Sequence, residues 1–235
     1  MLPRILNLPM RTIHLMLVEA GLELVPPQIA THPAVVSNAS KRGKRPSETL
    51  LDISIHRPAM SKLPKWYKRG RPDIVHGFLL LAQGSILNIE GFLRTHIHTF
   101  NGLYIEVAPS LRPPRDYRRF IGLMEQLLLV GKVPPDRPLM RVKMKTLDEV
   151  LRKIRPDAVI LLSEKGEMVK LRELGKKVLS YRNPLVMIGG FQHGDFEEET
   201  KKNVDITFSI YPKPLDVLTV TSRVLCTLES ELLKW

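Results

Sequence analysis

The stretch with the most chemical potential is Asn183-Pro-Leu-Val-Met-Ile-Gly-Gly-Phe-Gln-His-Gly-Asp-Phe196. Leu185 to Ile188 is an unbroken apolar run behind a proline, which fits a strand covered on both faces, as in a parallel sheet. The run stops at Gly189-Gly190, and Gly194 follows. Glycines at the carboxyl end of a buried strand let the main chain turn sharply and let a ligand reach the peptide groups. In open α/β sheets that edge is where ligands sit. A strand closed by a glycine-rich turn is the plain alternative. Two more bends of this kind are expected. Leu162-Ser-Glu-Lys-Gly166 follows the apolar strand Ala158 to Leu162, and Ile210-Tyr211-Pro212-Lys213-Pro214-Leu215 ends the strand Asp205 to Tyr211. None has a Gly-x-Gly-x-x-Gly pattern or a Walker lysine. The bends therefore suit a small ligand held mainly by backbone groups, not a standard dinucleotide.

A second set of residues is cationic. Arg71 precedes Pro72-Asp73, where proline fits the first position of a helix and the acid favours its positive end. A guanidinium beside a carboxylate is oriented for planar contact with a base or phosphate; a local ion pair of little energetic weight is the alternative. Arg112, Arg115 and Arg119 surround Pro113-Pro114, and the spacing predicts that Arg115 and Arg119 share one helical face. Phosphates lying along that face would offset the repulsion between them. His96 and His98 project to one face of a predicted hairpin strand, but no third ligand stands at a definable spacing, so no metal site is expected.

The elements that must position these residues follow from pattern. Thr12 to Val18 reads as a first buried strand, and Ala20 to Leu24 as the start of a helix stopped by Pro26-Pro27. Leu51-Asp-Ile-Ser-Ile55 alternates and predicts a half-exposed strand. Between Lys41 and Arg71 stand ten Lys/Arg against Glu48 and Asp52, with Trp66 and Tyr67 among them. Basic residues interleaved with aromatics suit RNA; a solvated basic loop with anchoring aromatics is the alternative. Asn101-Gly102 between two apolar runs predicts a hairpin. Lys132 to Arg141 reads as a proline-rich connector, Thr146-Leu-Asp-Glu149 as a capping box, and Leu215 to Leu228 as one side of a last helix. The alternation after Thr146 argues for a mostly parallel α/β layer.

With 36 basic against 24 acidic side chains, the 235-residue chain carries +12, which points to a polyanion, nucleic acid before an anionic membrane surface. The single cysteine, Cys226, rules out an intrachain disulfide and a multi-cysteine zinc site and fits an intracellular compartment. No apolar run approaches the roughly 18 residues of a membrane span. No signal peptide is expected; the first ten residues read as an extension, or as an upstream start ahead of Met10.

Four motifs then occur in order: Arg71-Pro-Asp-Ile-Val-His76, Arg112-Pro-Pro-Arg-Asp-Tyr-Arg-Arg-Phe-Ile-Gly-Leu-Met124, Ile188-Gly-Gly-Phe-Gln-His-Gly194 and Tyr211-Pro-Lys-Pro-Leu215. Together, from about Met10 onward, they resemble the small-subunit ribosomal-RNA pseudouridine N1-methyltransferases of the nucleolar essential protein family, within the SPOUT superfamily. That resemblance implies a single α/β SPOUT-type domain over 1–235, with a mostly parallel sheet flanked by helices and a C-terminal trefoil knot. Its parts would be a first strand and helix (11–30), a basic β-rich or looped insertion (31–70), an RNA-facing half (71–130), and a knotted, cofactor-binding half (146–235). It implies S-adenosyl-L-methionine as cofactor, framed by Leu162, Gly189, Gly194 and the 210–215 turn. Arg71, Arg112, Arg115 and Arg119 would contact rRNA, and Asp73 would hold Arg71, these last two forming the catalytic pair. It also implies a cytoplasmic homodimer acting on small-subunit rRNA during ribosome biogenesis, beside ribosomal proteins or assembly factors. Asp73 is expected to orient Arg71 and not to take a proton, because a carboxylate beside an arginine is a poor base. A non-catalytic rRNA-binding assembly factor on the same fold, and a SPOUT enzyme acting on tRNA, are the rival readings.

Overall fold

The computed structural model describes residues 11–233, so the expectation for the first ten residues lies outside them. In chain order the elements are β1 (Ile13–Ala20), α1 (Pro33–Lys41), α2 (Ile53–Met60), α3 (Pro72–Gly84), α4 (Ile86–Ile89), β2 (Leu93–Thr99), β3 (Leu103–Val107), α5 (Tyr117–Val130), β4 (Lys132–Val133), β5 (Met140–Met144), α6 (Leu147–Ile154), β6 (Ala158–Met168), α7 (Leu171–Ser180), β7 (Pro184–Gly189), α8 (Glu198–Lys202), β8 (Ile206–Ser209) and α9 (Val217–Leu233). One mixed sheet runs β4-β5-β3-β2-β1-β7-β6-β8. The half from β2 to β8 is parallel, and the half from β2 to β4 is antiparallel.

Every residue of β1 is buried, because both faces of the central sheet are covered. Ile13, Leu15 and Leu17 join the core formed with α3, α5, α7 and α9, while Met16 and Val18 face α6 and Phe196. This is why β1, β6 and β7 read as continuous apolar runs and not as alternating ones. The Asn101-Gly102 hairpin and the Thr146/Glu149 capping box form as expected. No helix among the described residues is long and apolar enough to cross a membrane.

Three local readings are corrected. The 31–70 segment is not β-rich: it holds α1 and α2 around a small core of Val25, Ile29, Val35, Leu51, Ala59, Met60 and Leu63. The alternation at Leu51–Ile55 is interrupted because the Asp52 side chain accepts from Ser54 N–H and starts α2 as its N-cap. Residues 21–25 form no helix; Leu51 N–H donates to Glu23 O and Val25 N–H to Thr49 O, so the chain runs extended beside 49–51. The proline-rich connector contains β4 and the start of β5, which extend the sheet beyond β3.

β6 carries the bend expected at 162–166, but inside the strand. Leu162 and Glu167 both pair with Phe208, so residues 163–166 are looped out between them. Gly166 allows this: a Cβ there would lie 2.6–2.7 Å from main-chain atoms of Thr207 and Phe208. Gly190 is held as tightly at the end of β7. Its N–H donates to Val18 O at 2.7 Å, its carbonyl accepts from Gly21 N–H at 3.1 Å, and a Cβ would meet Ala20 Cα at 2.6 Å. Gly190→Ala is therefore expected to lose about 1–3 kcal/mol of stability through overpacking against backbone. Gly84→Ala, a helical position with open space around it, serves as the comparison without steric cost in urea unfolding.

Candidate active site

Because β6, β7 and β8 are parallel neighbours, the chain leaves all three at one edge of the sheet. Their bends meet there and enclose a cleft of about 210 Å³. Leu162, Gly189, Gly194, Ile210, Tyr211, Lys213, Pro214 and Leu215 all line it, while Pro212 is not on its wall. Several lining residues are not singled out by the sequence, although most lie in stretches it marks: Ser163 and Glu164 from the β6 bend, Gln192 and His193 from the β7 bend, and the apolar Phe191, Phe196, Phe208 and Val217. The phenylalanines flanking the glycines were the available signal. Gly189 is bare of a side chain where a Cβ would sit 3.0 Å from both Phe191 and Phe196.

The 190–197 loop is pinned from two sides. On one side Lys68, almost wholly buried, donates to Glu19 Oε2 at 2.7 Å, to Glu197 Oε1 at 2.9 Å and to Asp195 O, with its ammonium 4.5 Å from the Phe191 ring centre. Glu19 Oε1 in turn accepts from Glu197 N–H at 2.8 Å and Thr200 Oγ at 2.7 Å. On the other side Lys165, in the looped-out part of β6, donates to Asp195 Oδ2 at 2.7 Å. Lys165 first, then Lys201 and the Phe196 N–H, hold the Asp195 carboxyl down at about 2. Two of the three bends are thus tied to each other.

Beside this cleft lies a second, lined by Asp52, Ile53, Ser54, Arg71, Asp73, Tyr117 and Gln192. Arg71 caps α3 and is gripped by Asp73 through both oxygens, Nε to Oδ1 at 2.8 Å and Nη2 to Oδ2 at 2.6 Å. Its Nη1 donates to Gln192 Oε1 at 2.5 Å. The bond to Asp73 pushes the Arg71 pKa further up, so the guanidinium stays charged. Asp52 Oδ1 accepts from Ser54 N–H and Oγ, and Oδ2 accepts from Tyr117 O–H at 2.8 Å. Burial, with this bond, pushes the Tyr117 phenol up. The pair Arg71–Asp73 expected from sequence is present, and Gln192 is the residue that touches both clefts.

The comparisons with known proteins decide the family. Residues 15–229 match the family model described as EMG1/NEP1 methyltransferase. The chain belongs to the EMG1/NEP1 methyltransferase family. It is similar to the ribosomal RNA small subunit methyltransferase Nep1 of Staphylothermus marinus, at 51% identity over 91% of this chain and 93% of that protein. For the enzyme of the same name from Thermococcus kodakarensis the figures are 46%, 94% and 99%. The crystal structure of Archaeoglobus fulgidus Nep1 bound to S-adenosylhomocysteine superposes with a TM-score of 0.84, at 39% identity, covering 96% of this chain and all of that one.

In this EMG1/NEP1 chain the basic segment is not the free cationic surface that composition suggests. Arg42 and Lys44 converge on the buried Glu125, Arg69 forks onto Glu23, and Lys65 and Lys68 reach Glu197. Arg45 pairs with Glu48, and Arg57 lies over the Trp66 ring. Burial pushes the Glu125 carboxyl up, but bonds from Arg42, Lys44 and Leu50 N–H outweigh it, and its pKa is lowered. Within the segment Lys41 and Lys62 are exposed and, among the described residues, unpaired, and a cluster of free cations lies outside it. Among the described residues, Arg115, Arg118 and Arg119 are exposed and their guanidinium groups have no hydrogen-bond or ion-pair partner. Arg115 precedes the N-cap Asp116, so it does not share a helical face with Arg119; both stand at the mouth of α5. Arg112 folds back, its Nη1 donating to Leu111 O at 3.0 Å and Pro109 O at 3.2 Å. His76, on α3, meets Pro114 O at 2.7 Å and stacks on Phe120, which binds this arginine turn to the Arg71 helix.

His96 and His98 serve the sheet. His96 lies 2.8 Å from both His14 Nδ1 and the Tyr104 hydroxyl, and burial pushes it down to about 3. His98 Nε2 meets Lys145 O at 2.9 Å.

Proposed function

We propose that this chain transfers a methyl group from S-adenosyl-L-methionine to N1 of a pseudouridine in small-subunit rRNA. The observation that carries this is the shared wall of two clefts. One is ringed by the bends of three parallel strands; the other holds a guanidinium fixed by Asp73, and Gln192 belongs to both. The first cleft fits the cofactor by its chemistry. Glycines expose peptide groups, and Leu162, Phe208 and Val217 supply apolar wall. S-adenosylmethionine, when bound, supplies an electrophilic methyl.

The chain's own residues act on the acceptor. Pseudouridine presents a free ring N–H that uridine lacks. Transfer of that methyl to N1 would replace the ring N–H by N–methyl, the proton passing to water. Arg71, already charged and held planar, stabilises the negative charge that develops on the ring as that proton leaves. Asp73 has both oxygens committed to Arg71, so it orients the guanidinium. Asp52, Ser54 and Tyr117 form the polar wall against which the base is placed, and placement itself contributes much of the rate.

Arg115 and Arg119, with Arg112 beside them, bind the rRNA backbone. Arg119→Ala is expected to weaken binding of an rRNA hairpin and reduce its slope against log salt by about 1, as loss of one phosphate contact requires. An unchanged slope would remove Arg119 from the interface. The single-domain division given above is retained, with a helical 31–70 insertion. A C-terminal trefoil knot is supported by the close main-chain approach of the looped-out Gly166 to Thr207 and Phe208 and by the packing of α9 against both α3 and α7. The homodimer, the cytoplasmic setting, the role in small-subunit biogenesis and contacts with ribosomal proteins rest on the resemblance. The deciding test is mass spectrometry of a pseudouridine-bearing small-subunit rRNA hairpin after incubation with protein and S-adenosylmethionine. Gain of one methyl on that nucleotide, absent from the uridine control, is expected. Binding of RNA without any gain would favour the assembly factor, and modification of tRNA instead would favour the tRNA enzyme.

A further inference from the structure

We infer that Gln192 is a positioning residue that couples cofactor occupancy to the orientation of Arg71, so that the cofactor and the RNA bind with positive cooperativity. The inference rests on the two-cleft reading above and deepens it. Arg71 uses Nε and Nη2 on Asp73, two residues away on its own helix. Its remaining terminal nitrogen is held by a residue 121 positions distant, Gln192. That residue belongs to the loop forming one wall of the first cleft, so the Arg71–Gln192 bond links the two sites.

The main chain around Gln192 makes this coupling effective. Gly190 is fixed by Val18 and Gly21 at one end of the loop, and Asp195 and Glu197 are fixed by Lys165 and Lys68 at the other. Between these anchors Gln192 and His193 are exposed on the cleft side. A ligand seated in the first cleft meets this short span directly. It restricts the backbone of residue 192 and hence the place where the amide oxygen receives Nη1. The ordering of Arg71 is then complete before the RNA arrives, and the RNA need not provide it. By linkage the effect must run both ways: RNA must raise the affinity for the cofactor by the same factor. Asp73 alone cannot do this, because it lies on α3 with Arg71 and does not line the first cleft.

The test measures affinity of a pseudouridine-bearing small-subunit rRNA hairpin by the full chain, with and without saturating S-adenosylhomocysteine. The wild type is expected to bind the hairpin about 5–150-fold more tightly when the cofactor product is present, the range usual for coupled sites. Gln192→Met, which keeps length and removes the acceptor, is expected to bring that factor close to one, with its thermal midpoint unchanged because the side chain is exposed. Gln192→Glu, which keeps an acceptor for Nη1, is expected to restore it. A merely structural role would move the midpoint and leave the ratio alone. Coupling that survives in Gln192→Met, or that Gln192→Glu fails to restore, overturns the inference. So does a wild type that binds both ligands independently, although the methyltransferase reading would then stand. A wild type that binds no S-adenosylhomocysteine at all overturns both.

Discussion

Arg71→Ala is expected to lower the turnover of rRNA methylation by about 10²–10³-fold, the usual effect of removing one charge-stabilising donor. Affinity for S-adenosylhomocysteine measured without RNA should change far less, because Arg71 does not line the first cleft and reaches it only through Gln192. The size of the effect follows from the state of the side chain. It is charged, only 15% exposed, and fixed by three charge-assisted or polar bonds, so little reorganisation is needed when charge develops next to it. Arg71→Lys should recover little, since an ammonium cannot fork onto Asp73 and also reach Gln192. Asp73→Asn is the informative partner. As an orienting group, its loss leaves Arg71 charged but loosely aimed, and the rate should fall less than in Arg71→Ala. Single-turnover methylation and hairpin binding measured side by side decide this. If Asp73→Asn abolishes methylation while the hairpin still binds, Asp73 takes the proton and the orienting role is wrong.

Lys68→Met should be the most destabilising of the substitutions considered, by about 3–5 kcal/mol, the range for stripping one partner from a buried ion pair. The Lys68 and Glu19 side chains are 2% and 5% exposed, so neither charge can turn to solvent once the other is gone. Glu19 is held in the left-handed backbone region, at φ 53°, a conformation that costs a non-glycine residue energy and persists only where the surroundings impose it. Its bonds from Lys68, Glu197 N–H and Thr200 supply that constraint. Losing Lys68 also frees one side of the 190–197 loop, so the affinity for S-adenosylhomocysteine should fall together with the urea midpoint. The double variant Lys68→Met, Glu19→Gln should recover much of the stability, because the orphaned carboxylate is then neutral. A single variant within about 1 kcal/mol of wild type, with cofactor affinity intact, would show that the network does not brace the cleft.

What is legible in the sequence here is what is encoded locally. A strand covered on both faces must be apolar throughout, and the chain must turn where the run ends. So Ala158–Leu162 and Leu185–Ile188 with their glycines announce both the strands and the bends. Asn101-Gly102 and Thr146 with Glu149 act over a few residues, and they form as their spacing requires. Arg71 and Asp73 are two positions apart, so their pairing could be read in the same way. The cap at Asp52 was equally local, but it was hidden beneath an alternation that mimics a strand.

Whether the three bends surround one cleft depended on β6, β7 and β8 being parallel neighbours, which no single segment encodes. The fate of the basic segment was also beyond local reading. Its carboxylate partners come from far along the chain, 46 residues away for Arg69 and Glu23 and 129 for Lys68 and Glu197. Composition registers the cations; only the folded chain shows that most of them are already neutralised, while Arg115, Arg118 and Arg119 at the mouth of α5 are left uncovered. Coulombic partners are chosen by distance in space, and a linear sequence carries distance only over a turn or two.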